Sequence, residues 1–167
     1  MDIYQKRYLA HQKRKFVFLR DNRRSRRVFT KKKLTEGELV YIKEAIKKAP
    51  SSCNRKAIQI VTYRETKDKK YVEQFLVGGK TWIDKADTII LLFANMKAYK
   101  SPNEIDFMPY LDAGVIVGQA YMAAEAIGIG MCYVNPNASE GFDKEYDKDK
   151  YQFCGAIALG NYNKEPK

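Results

Sequence analysis

Histidine is almost missing from this chain, His11 being the only one. The cysteines, Cys53, Cys132 and Cys154, are odd in number, widely spaced and form no C-x-x-C pair. That argues against a zinc site of the usual kind, and no metal ligands are assigned. The three read as reduced thiols, with Cys132 and Cys154 in the core. No apolar run reaches the roughly 18 residues needed to span a bilayer. Met1 to Leu19 lacks the apolar core of a secretory signal. The expectation is a cytoplasmic protein with no membrane partner. Internal repeats are absent, and low complexity is confined to the Asp/Lys-rich stretch 143–150. No paired carboxylates suggest acid–base catalysis, and no catalytic side chain is assigned.

Acid is scarce at one end. Residues 1–33 hold 13 Lys/Arg and 2 Asp/Glu, while the remainder holds 18 of each sign. The whole net charge of +11 therefore sits in the N-terminal fifth. Such a block suits a nucleic-acid or membrane-surface arm, or simply a solvated helix. Part of it could instead line a pocket for an anionic cofactor, and Arg23 to Arg27 suit that best. A basic nucleic-acid-binding protein is the weaker reading. Interleaved aromatics are limited to Tyr4, Tyr8, Phe16 and Phe18, and no nucleic-acid motif is recognisable.

What is present points to one α+β domain preceded by an extension. The chain has 167 residues and 45% hydrophobic side chains, enough for a sizeable core. Residues 1–20 read as a basic helical extension, helical over 3–20 with a thin stripe of Ile3, Leu9, Phe16 and Leu19. That stripe needs something to pack against, and wrapping around a second subunit is the favoured expectation. Residues 21–167 form the main domain. Thr35 and Glu38 make a capping box for a helix that Pro50 ends. Strands are expected at 57–63, 86–94, 131–134 and 153–159, with a short helix at 68–76. Residues 108–127 are almost wholly apolar and rich in small residues, which suits a core helix or a homodimer seam. Gly128 and Gly130 are expected to cap it.

Two runs carry the chemistry. Arg23-Arg24-Ser25-Arg26-Arg27-Val28-Phe29 packs four guanidiniums around one hydroxyl, which suits a phosphate monoester. Ala49-Pro50-Ser51-Ser52-Cys53-Asn54-Arg55 is a polar turn after a helix, with groups suited to a planar heterocycle. With the Ala-rich helix that ends in Ile127-Gly128-Ile129-Gly130-Met131-Cys132, these runs match in order and spacing a family pattern running from about Arg23 to Tyr162. The chain resembles the nitroreductase family of flavoproteins.

The resemblance implies a central mixed sheet flanked by helices, an intertwined homodimer, and FMN as cofactor. It implies that Arg23, Arg24, Ser25 and Arg27 hold the FMN phosphate and ribityl chain, with Arg26 facing solvent. Pro50, Ser51, Ser52 and Asn54 would meet the isoalloxazine edge from the other subunit. Lys80, in the Gly78-Gly79-Lys80 loop, would approach the pyrimidine side and favour the reduced anion. Val134 and Asn135 would address flavin N5. The implied activity is ping-pong hydride transfer from NADH or NADPH, through flavin N5, to an electron-poor small-molecule acceptor such as a nitroaromatic or a quinone. A protein of this fold that binds flavin without significant turnover is the alternative.

The chain departs from the pattern at Lys56, Ala57 and Ile58, where Gln, Pro and Trp are usual. It departs also at Cys53 and at Pro136, which lacks an N–H. Lys164 or Lys167 is expected to do the work of the family's basic tail.

Overall fold

A computed structural model describes residues 1–100 and 102–163. Lys164 and Lys167 lie outside the described residues. The elements run α1 (Ile3–Asn22), α2 (Glu36–Lys48), β1 (Ile58–Tyr63), α3 (Thr66–Glu73), β2 (Thr88–Asn95), α4 (Pro102–Ile105), α5 (Met108–Ala126), β3 (Gly130–Val134) and β4 (Tyr151–Gly160). The fold is α+β, as expected. Among the described residues no helix is long and apolar enough to cross a membrane.

Local chemistry explains most boundaries. Thr35 accepts from the Glu38 N–H, and Glu38 reaches back to the Thr35 N–H, so the expected capping box opens α2. Asp2 and Gln5 form a second such box at the start of α1, which the sequence reading did not identify. The helix also continues through Asp21 and Asn22, two residues beyond the expected end at residue 20. The Asn22 amide donates to the Phe18 carbonyl at 2.7 Å, and Arg20 pairs with Asp21 at 2.7 Å. Gly128, at φ +72°, closes α5, and the Ile129 N–H reaches the Ala124 carbonyl at 2.9 Å. Gly130 does not cap the helix. It opens β3, where an added Cβ would meet Tyr162 at 2.9 Å and Arg26 at 3.2 Å.

The four strands lie in the order β1-β2-β4-β3. All three strand pairings are antiparallel, so the sheet is not mixed. Among the described residues, parallel pairing is limited to one isolated bridge, Ser25 with Met131, where the chain leaving α1 runs briefly beside β3. β2 is buried on both faces, which explains its unbroken apolar run. Ile90, Leu92 and Ala94 face the core shared with α2 and α5. Ile89, Leu91 and Phe93 face a second core built on Phe142 and Phe153. α5 therefore packs on the sheet beside α2, and its two ends reach both candidate motifs. Cys132 and Cys154 are buried, as expected.

Candidate flavin site

The basic run divides between two aromatic side chains. Arg23 closes α1 and lays its guanidinium over the Tyr121 ring, 4.8 Å from the centroid. Ser25 Oγ lies 3.0 Å from Tyr121 Oη, which also accepts the Tyr133 N–H at 2.9 Å. Arg27 sits over Trp82 at 5.9 Å, and its charge bears on the neighbouring Cys132 thiol. Arg23, Ser25 and Arg27 thus gather around Tyr121, Cys132 and Trp82. Alternation in an extended chain sends the intervening side chains elsewhere. Arg24 is exposed and donates to the carbonyls of Asp21 and Arg23 at 2.8 and 2.9 Å. Arg26 is not solvent-facing. It is half-buried, stacks on Tyr162 at 4.6 Å, and has a buried Nε with no partner.

The Pro50–Asn54 turn is anchored on the other end of α5. Asp112, only 3% exposed, accepts the Ser52 N–H at 2.7 Å and the Tyr99 hydroxyl at 2.9 Å. Burial, with the bond to Asp112, pushes the Tyr99 phenol well above its ordinary range. Arg55 donates to Ser52 Oγ at 3.0 Å. The Lys56 N–H donates to Ser51 Oγ at 2.9 Å, and its ammonium reaches the Ala49 carbonyl at 2.7 Å. Cys53, Asn54 and Lys56 have φ of 48°, 55° and 51°, left-handed conformations that glycine would favour. Each costs on the order of 1–3 kcal/mol and persists only where its surroundings dictate it. Here the Asp112 and Ser51 hydrogen bonds hold the turn. Pro50 and Asn54 are exposed.

A third segment joins the first. Trp82 Nε1 donates to the Gly78 carbonyl at 3.0 Å, tying the 77–82 loop to the aromatic wall beside Arg27. A Cβ on Gly78 would meet Val134 at 3.3 Å and Asn135 Oδ1 at 3.9 Å. The Val77 N–H donates to the Asn137 carbonyl at 3.2 Å. The structure therefore brings the loop bearing the exposed Lys80 against Val134 and Asn135. Asp112 and Tyr121 are nine residues apart on α5, or about 13 Å along its axis. Within one chain the basic cluster and the serine turn are thus anchored well apart.

Sequence reading missed Asp112, Tyr99, Tyr121, Trp82 and Tyr162. The available signal was chemical: Asp112 and Tyr121 are polar side chains within an almost apolar helix. Among the described residues no cluster of His, Cys, Asp or Glu could hold a metal.

The thiols differ sharply. Burial pushes Cys154 up to about 12 and raises Cys132, an effect that Arg27 partly offsets. Cys53 is exposed. At pH 8 the native protein should therefore react rapidly with Ellman's reagent at one thiol, Cys53, and at all three after denaturation. Rapid reaction of two or three thiols in the native state would contradict this packing.

Comparison with known proteins gives consistent results. The model of the nitroreductase family matches residues 21–79 and 68–161. A protein of Bacillus subtilis strain 168 described as FMN reductase [NAD(P)H] is 32% identical over 121 residues. That match covers 64% of this chain and 48% of the relative, so the match spans about half of the relative's length. Two solved structures show the same fold. The hypothetical oxidoreductase YcnD of Bacillus subtilis has a TM-score of 0.78 and 24% identity, over 92% of this chain and 70% of that one. A nitroreductase of Desulfovibrio desulfuricans solved in complex with FMN has a TM-score of 0.72 and 21% identity, over 90% and 91%.

Proposed function

Because the chain belongs to the nitroreductase family, we propose that it is an FMN-dependent oxidoreductase that draws electrons from NADH or NADPH. The observation that carries this reading is the gathering of Arg23, Ser25 and Arg27 around Cys132, with Tyr121 and Trp82 supporting the two guanidiniums. Two guanidiniums and a hydroxyl there form a charge-assisted cradle for a phosphate monoester. The donor set fits FMN, and the strained serine turn and the Lys80 loop supply the other groups the ring needs. Bound there, FMN would supply hydride chemistry between the nicotinamide and a small electron-poor acceptor, such as a nitroaromatic or a quinone.

The protein's own residues have separate tasks in this reading. Tyr121 fixes Ser25 and supports Arg23, so the phosphate site is preformed. Trp82 does the same for Arg27 and for the loop carrying Lys80. The Lys80 ammonium favours negative charge beside Val134 and Asn135. Asp112 holds the Ser52 backbone, so that Pro50, Ser51, Ser52 and Asn54 keep their outward presentation.

The separation of the two motifs along α5 favours a homodimer in which the turn of one copy completes the site of the other. α5 carries an exposed stripe of Leu111, Gly114, Val115 and Gly118 at i, i+3, i+4 and i+7. Leu111 is 57% exposed and Val115 46%. A seam of this kind allows close helix approach, and obligate interfaces bury on the order of 2,000 Å² or more. Val115→Arg should split the dimer and release flavin together. Light scattering showing a monomeric variant that retains flavin would overturn the shared site.

Trp82 is the only tryptophan in the chain and stands beside Arg27. FMN binding should therefore quench the intrinsic indole emission with one flavin per subunit at saturation. The same titration tests the central reading. A protein that neither quenches nor turns yellow with FMN does not bind it. A yellow protein that fails to oxidise NADH or NADPH with any added acceptor is a flavin binder without turnover.

A further inference from the structure

α1 has no role in the site proposed above. None of its residues is buried, and only Val17, Leu19 and Asn22 are half-buried, near the end that meets α5. The family match begins at residue 21, so the family pattern does not account for this helix. At about 100° per residue, Tyr4, Tyr8, Leu9, Phe16 and Leu19 fall within one arc of about 140°. Tyr4 is 77% exposed, Tyr8 62%, Leu9 52% and Phe16 56%. Met1 and Gln5 join Tyr4, Tyr8 and Leu9 around a shallow depression on this arc. Arg20, Lys13 and Lys6 border the arc on one side, Lys15 lies just inside its other margin, and Arg7 and Arg14 share the opposite side with the exposed Ile3 and Phe18, so Ile3 does not join the expected stripe. Ile3–Asn22 holds six Lys/Arg and one acid, Asp21, which Arg20 already pairs.

The charge and the apolar arc together select the partner. A second α1 would set two strongly cationic helices against each other. A nucleic acid would satisfy the cations and stack on the tyrosines, yet leave Leu9, Phe16 and Leu19 unburied. A bilayer surface rich in anionic lipid meets both requirements. Its phosphodiester headgroups attract Lys and Arg, while the arc enters the boundary with the acyl chains. Tyrosine favours that level of the interface. Gln5 and Gln12, near the middle of the arc, keep the helix shallow.

We infer that α1 is a peripheral docking helix for anionic lipid surfaces, lying in the plane of the membrane. This revises the expectation of no membrane partner. The helix lies on the bilayer and does not cross it.

The test uses the full chain. It should co-sediment with phosphatidylcholine vesicles containing about a third phosphatidylglycerol, and bind at least about tenfold more weakly to phosphatidylcholine alone. Raising salt to about 0.5 M should reduce binding by about tenfold. The double variant Leu9→Glu, Phe16→Glu should lose binding by about tenfold or more. Its unfolding midpoint and FMN affinity should stay unchanged, because both positions are exposed and outside the site. Equal binding to both vesicle types, no binding, or a variant that binds like the parent would overturn the inference. So would a variant whose mass falls by light scattering, since the arc would then be an interface between copies. Tight single-stranded oligonucleotide binding that the variant retains, without vesicle binding, would assign the arm to nucleic acid instead.

Discussion

Replacing Arg23 and Arg27 together by alanine should lower FMN affinity by about two to four orders of magnitude. Each guanidinium offers charge-assisted hydrogen bonds, which contribute roughly 1.5–3 kcal/mol, and every 1.4 kcal/mol is about tenfold in affinity. The two are held over Tyr121 and Trp82, so they are oriented before the ligand arrives. Ser25→Ala should cost less, because its hydroxyl shares Tyr121 Oη with the Tyr133 N–H. Arg24→Ala should cost less than either, since Arg24 is directed to carbonyls at the end of α1. Fluorescence titration of FMN against the three variants checks this order. If all arginine substitutions weaken binding equally, the run acts as a diffuse cationic patch and the division described here is wrong.

Gly155→Ala should be the most damaging small substitution in the sheet. Leu91 pairs with Ala156 and Phe93 with Phe153, so Cys154 and Gly155 together oppose Leu92 in a bulge. Gly155 has φ +106°. An added Cβ would stand 2.5 Å from Tyr133 Oη and 2.6 Å from the Val134 carbonyl oxygen. The methyl group would also displace the Tyr133 hydroxyl from the Cys154 carbonyl, which it meets at 2.8 Å. Backbone strain of about 1–3 kcal/mol adds to overpacking of about 1–3 kcal/mol. The sum is a large part of the stability of a domain this size, and the melting temperature should fall by about 10 °C or more. Gly37→Ala is the control, because nothing lies within 4 Å of its Cβ position and alanine favours a helix. A Gly155→Ala variant that melts within about two degrees of the parent would show that the bulge can relax. Bulges often stand beside functional sites, and this one sits next to Val134.

The local elements were legible because short-range chemistry decides them. The Thr35–Glu38 box, the stop at Pro50, the small-residue helix and the buried run of β2 each follow from neighbours a few residues apart. The two candidate motifs were legible for the same reason, each being a contiguous run. Only the tertiary structure decided how those runs are used. Adjacent arginines part company because Tyr121, Trp82 and Tyr162 arrive from distant segments. Arg26 was expected in solvent, yet Tyr162 at the end of the chain covers it. The turn at Ser52 depends on Asp112, 60 residues away. Strand direction followed long-range pairing, which made the sheet antiparallel where a mixed one was expected. The sequence by itself determined which segments form and which side chains could serve an anionic cofactor. Which side chains meet was decided by packing between segments that no local pattern relates.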